Sequence, residues 1–195
     1  MSRPRGRPRD PDLERRVHAA VLDVYWEAGW AGFTLDAVAR RARVGRAALY
    51  ARWTSKDTLL IDALRRHSPM PDPAAFDTGS VRGDLEKLAG RLLTGYTEPG
   101  GRVSLRAAME ARVHPELLES LTTSLNEGTL RTARAIVRRG IDRGELPPGT
   151  PTTLLLEMLT GAVLSHVLFG PARPARDDGY VAELVGRVLA AFTSS

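Results

Sequence analysis

Residues 34–53 read TLDAVARRARVGRAALYARW, and the spacing of their apolar positions decides the fold. Leu35, Val38, Ala39, Val44, Leu49 and Trp53 mark one buried side through a helix of about eight residues, a tight turn and a second helix of about eight. In the second helix, at about 100° per residue, Leu49 and Trp53 share a face. Ala47, Ala48 and Ala51 point the opposite way, with Arg46, Tyr50 and Arg52 on the flanks. A helix-turn-helix offers such a face to the DNA major groove, where small side chains let the backbone approach base edges. The alternative is a short core helix whose alanines permit close packing on a neighbour. Arg40, Arg41, Arg43, Arg46 and Arg52, crowded into the same stretch, favour the DNA reading.

Upstream, Asp10 and Pro11 suit the cap and first position of a helix. Its Leu13, Val17, Ala20, Val21, Val24 and Ala28 recur every three or four residues, with Gly29 as the expected stop. Downstream, Ser55 caps a fourth helix with Asp57 in its first turn and Leu60, Ile61 and Leu64 along its buried stripe. Residues 68–80 hold three prolines and almost no apolar period, which predicts a linker or irregular connection. Helical periodicity resumes over 81–97, 102–112, 115–139 (ended by Gly140), 151–169 and 179–193, and no segment alternates convincingly with period two. The expected fold is therefore all-α, with about nine helices. Its expected parts are a basic disordered arm (1–9), a helix-turn-helix DNA-binding domain (10–68), a linker (69–80) and a larger helical domain (81–195).

Charge separates these parts. Residues 1–67 carry 14 Lys/Arg against 8 Asp/Glu, net +6, whereas residues 68–195 are net −1. A domain-sized positive excess implies a polyanionic partner, nucleic acid or a membrane surface. The most apolar stretch, TLLLEMLTGAVLSHVLFG, is broken by Thr, Glu, Ser and His, so a soluble, cytoplasmic protein is expected, without a membrane partner. The absence of cysteine excludes disulfides, thiol catalysis and thiolate metal sites. No phosphate loop, HExxH or GxSxG occurs, and His18, His67, His114 and His166 are scattered. Glu110, His114 and His166 form the only imaginable acid/base or metal group; such pairs are commonplace on helices, and neither an enzyme nor a cofactor is expected.

The run GFTLDAVARRARVGRAALYARWTSKDTLLIDAL, residues 32–64, resembles the TetR family of bacterial transcriptional regulators. Leu49, Tyr50, Trp53, Ser55 and Lys56 carry its most specific pattern, and RGEL at 143–146 agrees with the family's larger domain. The resemblance places DNA contacts on Thr34, Arg46, Ala47, Ala48, Tyr50, Arg52 and Lys56, to which Arg43 of the turn is added. Thr34 and Lys56 stand at helix starts, where backbone N–H groups favour phosphate, and the Tyr50 hydroxyl suits a phosphate oxygen. Arg46 is the candidate for guanine O6 and N7, and the alanine methyls for thymine methyls. The family's usual turn glycine is Arg43 here, which implies a left-handed residue costing roughly 1 kcal/mol. Gly45 stands where Ser or Thr usually caps the recognition helix.

For residues 81–195 the resemblance implies ligand binding and dimerisation. The family's dimer seam falls on Leu155, Leu159, Val163, Val167, Leu184, Val188 and Leu189, with Gly161 and Ala162 allowing close approach; the alternative is that these residues face the intramolecular core. Candidate pocket residues are Leu92, Tyr96, Met109, Leu121, Leu125, Met158 and Phe169, for an apolar effector, though such residues are more often plain core. The implied protein is a homodimeric repressor released from a palindromic operator by a small molecule. The alternative is a non-specific architectural DNA binder in which the arm dominates. In that arm, RPRGRPRD at 3–10, Arg5 and Arg7 either read an A·T-rich minor groove, as GRP does in AT-hooks, or only hold a disordered tail near phosphates.

Overall fold

The computed structural model describes residues 11–67, 72–115, 127–170 and 178–193. In it the first helical segment, α1 (Pro11–Gly32), breaks where the sequence places its stop: Gly29 leaves helical geometry (φ 63°, ψ −174°), and a further helical turn follows to Gly32. It is followed by α2 (Leu35–Ala42), α3 (Arg46–Tyr50), α4 (Lys56–His67) and a short 3-10 turn, Pro73–Phe76. Then come α5 (Val81–Thr97), α6 (Pro99–Glu110), α7 (Glu127–Asp142), α8 (Thr152–Phe169) and α9 (Asp178–Thr193), with no strand among the described residues. The expected all-α class holds. The arm, residues 68–71, and the first part of the helix expected from 115 lie outside the described residues.

Two apolar cores organise the helices. The first joins α1–α4 through Val17, Val21, Tyr25, Phe33, Val38, Leu49, Leu59, Leu60 and Leu64, and it also takes Val103, Ala107 and Ala111 from α6 and the residue beyond its end. The second gathers Leu85 and Leu88 of α5, Ile136 of α7, Leu155, Leu159 and Val163 of α8, and Val185 and Val188 of α9. Phe76, only 2% exposed, belongs to this second core. The proline-rich connection is therefore anchored at one point by a buried phenyl ring, while Ala74, Ala75 and residues 77–79 stay exposed.

Helix α6 begins at Pro99, earlier than periodicity suggested, because Glu98 ends α5 and also opens α6. Gly100 and Gly101 make the junction possible. A Cβ at Gly101 would overlap the Gly95 carbonyl, and one at Gly100 would stand 2.8 Å from His67 Cβ. Helix α7 runs through Gly140 to Asp142, with Val81 and Leu146 closed over the bare α-carbon. Its stop is supplied by Gly144 at φ 72°, with the Glu145 and Leu146 amides donating to the Gly140 carbonyl.

Two carboxylates tie distant segments. Asp84, fully buried in α5, accepts from the Thr78 amide (2.6 Å) and hydroxyl (2.8 Å) and from Arg139 Nη2 of α7 (2.9 Å). Burial pushes its carboxyl up, but the Thr78 donors and the Arg139 guanidinium outweigh that and hold it below the ordinary value. Glu110, at the end of α6, accepts from the Tyr25 hydroxyl and the Trp30 amide, both at 2.7 Å, and from Arg106 Nε at 2.9 Å. Burial again opposes ionisation, and these donors again hold the Glu110 carboxyl low. Burial first, and then the carboxylate beside it, pushes the Tyr25 phenol up. Arg106 reaches the Trp26 carbonyl as well. The Glu110 and Arg106 side chains thus close on the kinked end of α1.

The backbone of Gly29 lies in a region essentially reserved for glycine, and a Cβ there would overlap Arg106 and stand 2.6 Å from Glu110 Oε1. Gly29→Ala should lower stability by about 1–3 kcal/mol, read by urea or thermal unfolding. Because the folded-state Asp84 carboxyl titrates below its unfolded value, its ionised form stabilises the fold above about pH 4, and that contribution is lost as pH falls further. Asp84→Ala should cost about 3 kcal/mol at neutral pH, and its stability difference from the parent protein should shrink on acidification below about pH 4.

Candidate nucleic-acid interface

Thr34 begins the reading motif with extended backbone, its hydroxyl oxygen accepting from the Ala37 amide at 3.1 Å. Helix α2 buries Leu35, Val38, Ala39 and Ala42 and stops at Arg43, which adopts φ 55°, ψ 48°. This is the left-handed turn residue expected from the sequence. The amide of Arg43 donates to the Arg40 carbonyl and that of Val44 to the Ala39 carbonyl, so the turn closes on itself despite lacking glycine. Gly45, in extended backbone, leads into α3.

Helix α3 is shorter than expected, five residues from Arg46 to Tyr50, and continues as a turn in which the Trp53 amide donates to the Leu49 carbonyl at 3.0 Å. Leu49 is fully buried. Trp53 closes the motif: its indole Nε1 donates to Asp62 Oδ2 of α4 at 3.0 Å, and His18 Nε2 of α1 lies 2.9 Å from the same oxygen. The His18 and Trp53 rings meet edge to face at 5.8 Å. One carboxylate oxygen therefore joins α1, α4 and the end of the recognition segment. Asp62 was not singled out from sequence, although a carboxylate inside the stripe Leu60, Ile61, Leu64 is a signal for a buried polar contact.

With Leu49 turned inward, Arg46, Ala47, Tyr50 and Ala51 are exposed together, and Ala48 is half-buried. Tyr50 exposes about half its surface, 52%. Arg46 is paired within the motif, its Nη2 2.8 Å from Asp36 Oδ2. Arg40 and Arg43 are exposed beside it.

Other basic side chains of the head are paired within it. Arg41 pairs with Glu27 and Asp23 of α1. Arg52 lies 3.6 Å from Glu14, which also takes Arg66 at 3.3 Å. Lys56 donates to the Trp30 carbonyl at 3.0 Å, and its ammonium sits 3.9 Å from the centre of the Trp30 ring. The charges of Arg52 and Lys56 thus serve first to lock helices, a role that helix-start arguments do not reveal. Arg5 and Arg7 lie outside the described residues.

The remaining candidates scatter. Leu92 is core and Tyr96 packs against that core, while Met109, Met158 and Phe169 are exposed by 66%, 38% and 83%; Leu121 and Leu125 lie outside the described residues. A groove of about 310 Å³ between α7 and the start of α8 is lined by Arg134, Val137, Arg138, Ile141, Asp142, Thr150 and Thr152. Of the expected dimer seam, Leu155, Leu159 and Val163 have no exposure, Val188 and Leu189 are also core, and Val167 and Leu184 are half-buried. The five buried residues belong to the protomer's own core, and Val167 and Leu184 pack against it. The outward face of α8 carries Leu154, Met158, Gly161, Ser165 and Leu168, with Phe169 beside it. Helix α8 is also long and apolar enough, at 18 residues and mean hydropathy 1.5, to cross a membrane by length and composition alone. Glu110 is engaged by Tyr25 and Trp30 of α1 and by Arg106 of α6, and His114 stands by the Trp30 ring. No group of metal-binding side chains occurs among the described residues.

The comparisons with known proteins fall on both parts of the chain. Residues 19–63 match the family described as bacterial regulatory proteins, tetR family, and residues 75–188 the tetracyclin repressor-like C-terminal domain. The HTH-type transcriptional regulator AqdR of Rhodococcus erythropolis is 34% identical over 165 residues, 84% of this chain and 78% of that protein. The DNA-binding transcriptional repressor TetR of Mycobacteroides abscessus is 31% identical over 176 residues, 88% of each. The fold also matches the crystal structure of the regulator FadR from Bacillus subtilis in complex with stearoyl-CoA, with TM-score 0.69 at 17% identity, covering 93% of this chain and 98% of that one. These relatives are transcriptional regulators rather than enzymes. With a helix-turn-helix that exposes one reading face and family patterns matched across both parts of its length, the chain belongs to the TetR family of transcriptional regulators.

Proposed function

We propose that the chain is a homodimeric cytoplasmic repressor that binds a palindromic operator and leaves it when a small, largely apolar effector binds in the larger helical part. The observation that carries this reading is the joint exposure of Arg46, Ala47, Tyr50 and Ala51 on a helix locked from behind by Leu49, Trp53 and Asp62. Arg46 reads a guanine edge, the alanine methyls approach bases, and Thr34, Arg43 and Tyr50 meet phosphates. Arg52 and Lys56 act on DNA mainly through the helices they fix. An apolar effector is supported by the mostly aliphatic second core and by the stearoyl-CoA complex of a protein with the same fold.

Dimerisation is supported by the outward face of α8. Leu154, Met158, Gly161 and Leu168 succeed one another by four, three and seven residues, and so line one side of the helix. Gly161 has open space over its α-carbon, as close helix pairing needs. A second copy related by a twofold axis covers this stripe and sets two reading heads on two half-sites. The same stripe accounts for the hydropathy of α8, whose opposite side is committed to the protomer core.

Genomic fragments selected by the purified protein supply the operator. Arg46→Ala should weaken operator binding by about 1–3 kcal/mol and relax sequence preference, measured by fluorescence anisotropy against operator and random duplexes. Equal affinity of the parent protein for both duplexes would refute specific regulation and leave an architectural DNA binder. Met158→Glu should convert the dimer to a monomer in light scattering while leaving the circular dichroism of the helices intact; a dimer that persists in both Met158→Glu and Leu154→Glu rejects the α8 interface.

A further inference from the structure

Asp36 occupies the second position of α2 and Arg46 the first of α3, yet the turn brings them together, Arg46 Nη2 lying 2.8 Å from Asp36 Oδ2. The pair spans the reading motif directly, on its exposed side, with 67% of the arginine side chain open to solvent. The other oxygen, Oδ1, is buried and has no hydrogen-bond partner among the described residues.

A carboxylate at this place costs attraction to DNA, because phosphates repel it. What it supplies is direction. A long arginine side chain carries about 2 kcal/mol of rotamer entropy, and on an exposed helix it meets a phosphate as readily as a base. Anchored at one nitrogen, the guanidinium loses that freedom but retains most of its five N–H donors, of which guanine O6 and N7 need two. Discrimination then comes from holding the donor fork at one angle, so that a wrong base leaves donors unpaired beside a fixed charge.

We propose that Asp36 is a specificity-determining residue that orients Arg46 to read one guanine in each operator half-site, at the expense of overall affinity for DNA. This rests on the base-reading role given to Arg46 above. The consequence is a dissociation between affinity and selectivity that neither a structural residue nor a merely repulsive charge produces.

The test selects bound sequences from a randomised duplex pool with the full-length parent protein, Asp36→Asn, Asp36→Ala and Arg46→Ala. It also measures each protein's affinity for a fixed random duplex and its thermal melting. The parent protein should enrich a guanine at one position of each half-site, and Arg46→Ala should lose that enrichment. Both Asp36 variants should bind the random duplex more tightly, and their guanine enrichment should fall roughly tenfold at that position alone. Retention of the parent's guanine enrichment in the Asp36 variants would overturn the proposal and leave Asp36 a repulsive charge. Uniform loss across all positions with a lowered melting temperature would also overturn it, in favour of a folding role. An unchanged motif in Arg46→Ala would remove Arg46 as base reader and the proposal with it, while the absence of any motif for the parent protein would refute the DNA-reading function itself.

Discussion

The position of the reading head depends on one carboxylate, that of Glu110. The end of α1 is broken at Gly29, so the Trp30 amide lacks an ordinary helical acceptor there, and Glu110 supplies one while taking the Tyr25 hydroxyl on the same oxygen. The Trp30 carbonyl is taken by Lys56, the first residue of α4, whose ammonium also rests on the Trp30 ring. Helix α4 then offers Asp62 to His18 and Trp53, which fixes the end of the recognition segment. A series of charge-assisted hydrogen bonds, joined through the backbones of α1 and α4, thus runs from the last turn of α6 to the end of the recognition segment.

This use of charge explains why so basic a head exposes a selective set of arginines. Glu14, Asp23 and Glu27 of α1 pair with Arg41, Arg52 and Arg66, while Arg46, paired with Asp36 inside the motif, and Arg40 and Arg43 are exposed around the recognition helix. Count and composition suggest a diffuse positive surface. The ion pairs divide it into cations that brace helices and cations that face outward.

The reading motif was legible because its signals are local. Thr34 caps within three residues, Leu49 and Trp53 face inward by helical period, and Arg43 takes the left-handed turn that the missing glycine implied. What was not legible depends on partners far away in the chain. Gly29 breaks α1 as its place in the sequence suggests, but that Arg106 and Glu110, some eighty residues on, close against the break is not readable locally. Helix α8 shows the limit of periodicity itself. Its sequence is apolar on nearly every side, so nothing within it chooses between the side carrying Leu155, Leu159 and Val163 and the side carrying Leu154, Met158 and Leu168. The choice is made by Leu85, Leu88 and Val185, which claim the first.

Helix α6 has a consequence for how such proteins are taken apart. By sequence it belongs with the larger helical part, yet Val103 and Ala107, followed by Ala111, complete the apolar core of the head. A fragment cut after α4 would bare that surface to water and would strip the Trp30 amide and the Tyr25 hydroxyl of their acceptor. The smallest self-sufficient reading unit is therefore discontinuous in the chain. Grafting this head onto another sensor requires carrying α6 across with it, or rebuilding the face on which α6 rests.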